Sequence, residues 1–176
     1  MDFFNQTGKL AIGSRLRMLT DKITVDAAAI YKMFGVDLKP KWFPVFFVLS
    51  RGEAKTITSI AKEIGHSHPS VSNIIKEMVA KGLVKETKDK SDGRRNMVML
   101  SAKGKRMSDS FSEQCIDVTA AIEQITQQTR NDLWEAIEEW ENLLLDKSLL
   151  ERVKEAKKER ESKRSEEHTS ELQSPY

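Results

Sequence analysis

The chain has 176 residues, of which 39% are hydrophobic and 32% are charged. This size suits one domain or a domain with an appendage, and the composition suits a soluble protein. There is neither the run of roughly 18 uncharged apolar residues that a membrane span needs nor a signal-peptide pattern, so we expect neither. Cys115 is the single cysteine, which excludes an internal disulfide and favours a cytoplasmic protein.

The net charge of +2 hides an uneven distribution. Residues 51–106 contain 13 Lys/Arg and 6 Asp/Glu, a net charge of +7, whereas residues 107–163 contain 8 and 14, a net charge of −6. A basic central segment indicates a polyanionic partner, although such a segment is by itself more often a solvated face.

The first predicted element is a long amphipathic helix that ends at Gly35. After the helix breakers Pro40 and Pro44, residues 45–50 predict a short apolar helix or strand in the most aromatic part of the chain. The apolar residues of the long helix recur at spacings of three and four, the period of one helix face: Ile12, Leu16, Leu19, Ile23, Ala27, Ile30 and Phe34.

Two short helices joined by a glycine-containing turn are predicted next, which is the helix-turn-helix pattern. We expect a short strand at residues 55–57, then a helix capped by Thr58 that stops at Gly65. The next helix is capped by Ser67 and stops at Gly82. Its apolar residues are Val71, Ile74, Ile75, Met78 and Val79, and its polar face carries Ser70, Ser72, Asn73 and Lys76.

Residues 83–88 and 96–100 predict two strands around an Asp-Gly turn, which supplies the positive φ of a tight hairpin. A helix-turn-helix followed by a hairpin is the order of a winged helix. A long helix capped by Ser101 follows, with a second from Leu133 that we expect to run on through residue 163. The predicted fold class is therefore mainly α with a small β-hairpin wing, a winged helix-turn-helix flanked by long N- and C-terminal dimerisation helices.

This layout resembles the MarR family of bacterial transcriptional regulators. The likeness is most specific in "GHSHPSVSNIIKEMVAKGLV" and in "DKSDGRRNMVMLSAKGK", where Asp89, Asp92, Arg94, Ser101 and Gly104 fit the wing pattern of the family. Ser91 departs from it, because an arginine is common there. The resemblance implies a MarR-type domain over 1–163, with dimerisation helices at 1–36 and 101–163 and the winged helix-turn-helix at 40–100.

We expect the helix from Ser67 to enter a major groove and the wing to supply charge. The family analogy gives Arg94 the minor groove and Asp92 a bracing role, and the other wing cations suit phosphates. The alternative is a solvated surface with weak ion pairs. The residues expected at duplex DNA are Ser67, His68, Pro69, Ser70, Ser72, Asn73, Lys76, Lys88, Lys90, Asp92, Arg94 and Arg95.

Other constellations carry weaker signals. His66 and His68 lack a second ligand cluster, so we expect no metal site and no cofactor. Cys115 on an apolar stripe is more often a buried small side chain than a redox sensor. No pattern of catalytic residues is present, so we predict no enzyme. An aromatic group such as the one at residues 42–47 more often belongs to the core than to a ligand pocket. Members of the family, however, commonly bind small aromatic effectors in a cleft between the dimerisation helices and the winged module. In this chain that cleft would be lined by Met33, Phe34, Trp42, Phe43, Phe46 and Phe47.

The function predicted is that of a sequence-specific transcriptional regulator, a homodimer on a pseudo-palindromic operator, tuned by an effector. One alternative is the N-terminal part of a bifunctional regulator and GNAT-type acetyltransferase, which the first fifty residues and the last long helix resemble. Another is a protein-interaction module with long acidic helices. Residues 164–174, "RSEEHTSELQS", resemble a translated sequencing adaptor, so we expect 164–176 to be an artefactual disordered tail.

Overall fold

The computed structural model of the chain describes residues 2–88 and 96–172. These residues form two compact units, one that extends to Thr119 and one that begins at Ala120. The first unit contains the helix-turn-helix, the sheet and the hydrophobic core. The second unit is helical wherever the described residues form regular structure.

The first unit opens with helices. Helix α1 (Asp2–Thr7) and a 3-10 turn (Gly8–Ala11) lead into helix α2 (Ile12–Met33). Gly35, at φ +66°, ends the helix in a conformation that favours glycine, so the predicted stop is confirmed. Helix α2 leaves several apolar side chains of its predicted stripe exposed, among them Leu16, Leu19 and Ile23.

A winged helix-turn-helix follows α2, as the sequence predicts. A 3-10 turn (Pro40–Trp42) leads to α3 (Phe43–Ser50), so the apolar run after the prolines is a helix. Strand β1 (Lys55–Thr56), helices α4 (Ile57–Glu63) and α5 (His68–Ala80), and strands β2 (Val84–Lys88) and β3 (Asn96–Leu100) complete the module. The three strands are antiparallel in the order β1-β3-β2, so β3 lies at the centre and ties the wing to the helix-turn-helix.

The core lies between α3, α5, the sheet and the first half of α6. Its largest fully buried side chains are Trp42, Phe46, Leu49, Ile60, Ile75, Met78, Leu83 and Phe111. The apolar face predicted for α5 is buried at Val71, Ile74, Ile75 and Met78. Val79 does not share this burial, since it is 40% exposed. The prediction that Val79 faces the core is therefore wrong: Val79 shares a helix side with Ile75 but lies in the last turn of α5, beyond the buried part of that side.

The predicted N-cap of α4 is also wrong. Thr56 caps the helix, with extended backbone angles and a side-chain oxygen that accepts a hydrogen bond from the Ser59 amide at 3.1 Å. Thr58 lies inside the first turn. Thr56 is held extended because it pairs with Met97 of β3, so tertiary pairing selects which threonine caps the helix.

Helix α6 (Ala102–Gln127) begins at a tightly packed junction with the end of α5. Ser101 Oγ accepts a hydrogen bond from the Gly104 amide at 3.1 Å and donates one to the Gly82 carbonyl at 2.5 Å. The Ser101 amide donates to the Leu83 carbonyl at 2.9 Å. The expected cap by Ser101 is confirmed, and the same residue fastens α6 to the segment that follows α5.

In the second unit, two helices replace the single long one that the sequence led us to expect. Helix α7 (Leu133–Asp146) is capped by Asp132, and α8 (Leu149–Leu172) starts after a break at Lys147. The break occurs because Lys147 is extended and Ser148 forms a reciprocal capping box with Glu151. Helix α8 reaches into 164–176, which we expected to be disordered; the origin of that segment stays a prediction. No helix among the described residues is long and apolar enough to cross a membrane.

Candidate nucleic-acid interface

Helix α5 presents the polar face expected of a recognition helix. Ser67 Oγ accepts a hydrogen bond from the Ser70 amide at 3.4 Å, and a proline occupies the first turn, so the predicted start is confirmed. Four buried apolar side chains fix the opposite face against the core, which leaves the helix little freedom to rotate. At the start and along the polar face of α5, the predicted contact residues that are exposed are Ser67, His68, Pro69, Ser70, Asn73 and Lys76.

Ser72 differs from its neighbours on α5. It is half-buried next to Val71, whereas Asn73 is exposed. Since residues three and four apart share a helix face, Ser70, Asn73 and Glu77 lie along one outward line. This line, with Lys76 beside it, is the part of α5 that can meet a groove, and Ser72 lies outside it, about 100° around the helix from Asn73.

The wing is described only up to its tip. Strands β2 and β3 pair from Val84↔Leu100 to Lys88↔Asn96, so the predicted hairpin is confirmed as far as these pairs. Lys88 is exposed at the end of β2. The other predicted wing contacts, Lys90, Asp92, Arg94 and Arg95, lie outside the described residues, as do Asp89 and Ser91.

A charged cluster that the sequence did not reveal lies beside the outward line of α5. Lys41 Nζ donates to Glu77 Oε1 at 2.6 Å, and Lys39 Nζ donates to Glu77 Oε2 at 3.3 Å. The indole Nε1 of Trp42 donates to Glu77 Oε2 at 3.0 Å. The hydrogen bonds from Lys41 and Trp42, with a smaller contribution from Lys39, lower the pKa of Glu77 from 4.5 to about 2.

The cluster borders an open cleft of about 310 Å³. The cleft runs between the 3-10 turn at Pro40–Trp42 and the outward line of α5, so one wall includes Ser70 and Asn73, two of the residues predicted to meet DNA. Its lining residues are Pro40, Lys41, Pro44, His66, Ser70, Asn73, Ile74 and Glu77. The cleft joins two segments more than 20 positions apart, which is why neither motif nor spacing predicted it.

The aromatic residues proposed for an effector cleft divide into two groups. Trp42 and Phe46 are at most 1% exposed and belong to the core, as the commoner alternative predicted. Phe43 and Phe47 surround Phe111, with ring centroids 5.8 and 6.5 Å from it. Met33 is 72% exposed and Phe34 is half-buried. An effector cleft at these residues stays a prediction.

Two titratable groups between α2 and α6 remain protonated at neutral pH. Burial raises the pKa of Tyr31 to about 12. Burial also raises the pKa of the Cys115 thiol, which disfavours the nucleophilic thiolate. Cys115 packs against the core as the sequence favoured, but it is half-buried rather than fully buried. Within residues 2–88 and 96–172, no group of three His, Cys, Asp or Glu side chains is arranged to hold a metal ion.

Comparison with known proteins identifies the winged module. Residues 36–95 match the model described as MarR family, which confirms the resemblance noted from the sequence. This segment starts just after α2 and includes the 3-10 turn that contains Lys41, the helix-turn-helix and the wing up to Arg95. No protein of curated function matches the sequence.

Solved structures confirm the winged helix-turn-helix fold. Reduced AbfR bound to DNA superposes with a TM-score of 0.61 at 16% identity, over 83% of this chain and 98% of that one. The transcriptional repressor CouR bound to a 23-mer DNA duplex gives 0.59 at 20% identity, over 79% and 96%. The adhesin competence repressor AdcR from Streptococcus pyogenes gives 0.56 at 19% identity, over 76% and 95%. At these identities the likeness establishes the fold.

Proposed function

From the MarR-family segment at residues 36–95, we propose that this protein is a sequence-specific transcriptional regulator that binds duplex DNA as a homodimer. The observation that carries the proposal is the outward line of α5. Ser70 and Asn73 offer hydroxyl and amide groups to base edges, on a helix whose other face is locked into the core. Two of the structural neighbours are themselves complexes with DNA.

The wing completes the proposed interface. Arg94 would enter the minor groove next to the major groove that α5 occupies, where the potential is most negative, and Arg95, Lys88 and Lys90 would neutralise phosphates. The described part of the hairpin supports this role, since β2 ends with Lys88 exposed and β3 fixes the hairpin to the module. Asp92 would brace the wing.

We propose that a second copy of the chain buries the apolar surface that each unit leaves exposed. In the first unit, Leu16, Leu19 and Ile23 are 40 to 60% exposed on α2. In the second, Leu133, Ile137, Trp140 and Leu144 form a stripe on α7 and are 40 to 54% exposed. Faces of this kind are typical of subunit interfaces. Two-fold symmetry would present two α5 helices to a pseudo-palindromic operator.

Further parts of the proposal concern the localisation, the lack of catalysis and the regulation of the protein. We infer a cytoplasmic, non-enzymatic protein whose DNA affinity responds to a small aromatic effector near Phe43 and Phe47. An effector that changed the distance between two recognition helices would change the affinity for an operator. We also assign residues 1–163 to the regulator and residues 164–176 to a non-native tail. The alternatives of an acetyltransferase fusion and of a protein-interaction module gain no support from the fold or the family match.

The test is DNA binding by the wild type and by Arg94→Ala. Genomic fragments retained by the wild type in a mobility-shift assay would supply an operator. On that operator, Arg94→Ala should bind more weakly and with a log–log salt slope shallower by about 1 per bound protomer, or about 2 for the homodimer. Arg160→Ala, which removes an arginine from α8, is the matched control and should bind as the wild type does. Failure of the wild type to retain any fragment would refute DNA binding, and wild-type affinity of Arg94→Ala at every salt concentration would refute the role of the wing.

A further inference from the structure

A carboxylate on the DNA-facing side of a recognition helix would normally weaken binding, because it repels phosphates. Glu77 continues the outward line of Ser70 and Asn73 by one more turn. Both of its oxygens are occupied, one by Lys41 and the other by Lys39 and Trp42. The local charge is therefore +1 rather than −1, since two ammonium groups oppose one carboxylate.

The two lysines do not belong to a loosely held loop. Lys39 is extended, Pro40 starts a 3-10 turn, and the Trp42 amide donates to the Lys39 carbonyl at 2.8 Å. Trp42 itself is 1% exposed, so its side chain anchors the turn in the core. The Lys39 ammonium also lies 5.0 Å from the centre of the Trp42 ring. Long lysine side chains held in this way lose less conformational freedom on binding than free ones.

The lysine side chains nevertheless remain accessible, at 55% for Lys39 and 56% for Lys41. Lys41 lines the cleft together with Ser70 and Asn73, the residues proposed to meet bases. In the proposed docking of α5 in a major groove, one of the two sugar-phosphate strands that border the groove would pass beside this wall. A cation here is well placed to neutralise a phosphate on that strand.

We propose that Lys41, assisted by Lys39 and positioned by Glu77, binds a backbone phosphate of duplex DNA beside the recognition helix. The inference rests on the proposed function and adds to it a phosphate contact outside both the recognition helix and the wing. The contact carries no sequence information, since phosphates are common to every sequence. It sets the register of α5 in the groove and contributes equally to operator and unrelated DNA.

The expected magnitude follows from the net charge of the cluster. Lys41→Gln changes the cluster from +1 to neutral, which removes one neutralised phosphate per bound protomer. The log–log salt slope then becomes shallower by about 0.9 per protomer. Between 50 and 200 mM salt, the advantage of the wild type over the variant shrinks by about 3.5-fold for one bound protomer and about 12-fold for two.

The experiment compares the full-length wild type with three variants in salt titrations on the operator and on unrelated duplex. Lys41→Arg keeps the charge and should retain the wild-type slope. Lys157→Gln removes an exposed lysine that pairs with Glu161 on α8, so it matches the loss of charge and should also leave the slope unchanged. Lys41→Gln should lower the slope on both DNAs, with an unchanged melting temperature as evidence of folding.

The outcomes separate the two proposals. Failure of the wild type to bind any DNA would refute the proposed function, and this inference with it. Binding by the wild type with equal slopes for Lys41→Gln and Lys157→Gln would refute the phosphate contact alone. A loss confined to the operator, with unrelated DNA unaffected, would also overturn it, because that pattern belongs to a base contact.

Discussion

Replacement of Gly104 by alanine tests how closely α6 packs against the end of α5. A Cβ at this position would lie 2.2 Å from the Leu83 carbonyl oxygen and 3.3 Å from Leu100 Cβ. The first distance is about 1 Å shorter than a carbon–oxygen contact allows. The Leu83 oxygen belongs to the backbone and cannot turn away as a side chain would. The same oxygen accepts a hydrogen bond from the Ser101 amide at 2.9 Å. Relief of the overlap must therefore move α6 and weaken this hydrogen bond.

Three contributions set the size of the effect. Overpacking of a core costs about 1–3 kcal/mol, and a weakened backbone hydrogen bond costs about 1 kcal/mol. Alanine in place of glycine within a helix returns about 1 kcal/mol through its higher helix propensity. We therefore expect Gly104→Ala to lower the free energy of unfolding by about 1–3 kcal/mol, or to lower the melting temperature by roughly 3–9 °C for a chain of this length.

Gly13 provides the matched control for Gly104. It is also helical, near the start of α2, but a Cβ there would have no neighbouring atom within 4 Å. The same substitution should therefore stabilise the protein, by up to about 1 kcal/mol. Thermal and urea denaturation followed by circular dichroism would measure both variants. A melting temperature for Gly104→Ala at or above that of the wild type would refute the packing that we describe at this junction.

Two further predictions concern Glu77 and the apolar stripe of α7. Because the pKa of Glu77 is lowered to about 2 in the folded chain, its ion pairs stabilise the protein above pH 4.5 and lose this effect as the pH falls through about 2. The difference in melting temperature between the wild type and Glu77→Gln should therefore disappear over that pH range. A difference that stays constant would contradict the assignment. Ile137→Glu should convert the proposed dimer to a monomer in sedimentation experiments, because it places a charge in the exposed stripe. The control Asn142→Glu changes a residue of the same helix that lies off the stripe, and it should remain dimeric. A dimeric Ile137→Glu would exclude α7 from the interface.

The sequence predicted those elements whose signals are local. The period of α2 and its glycine stop give the correct helix, and the Asp-Gly hairpin gives the correct pairing of the strands that flank it. The break between α7 and α8 was missed although its signal was present, since Ser148 and Glu151 have the spacing of a capping box. There the apolar residues Leu149 and Leu150 continued the helical pattern and concealed the break.

Other features depend on residues distant in sequence and could not be predicted. Which threonine caps α4 is decided by the pairing of Thr56 with Met97, across 41 positions. Lys41 and Glu77 are 36 positions apart, and before the fold is known each is an ordinary surface charge. The exposed face of α5 was predicted almost completely, whereas the cluster that changes the sign of the charge beside it depends on tertiary structure.

The central position of β3 has a consequence for the order of folding. Lys88 and Asn96 are 8 positions apart, so the wing hairpin closes a short loop, whereas the contact of β1 with β3 joins Lys55 to Val98 across 43 positions. Closing the longer loop costs about 1.5 kcal/mol more in chain entropy. We therefore expect the hairpin to form before the two-residue β1 joins it, so that the wing attaches to the helix-turn-helix late in folding.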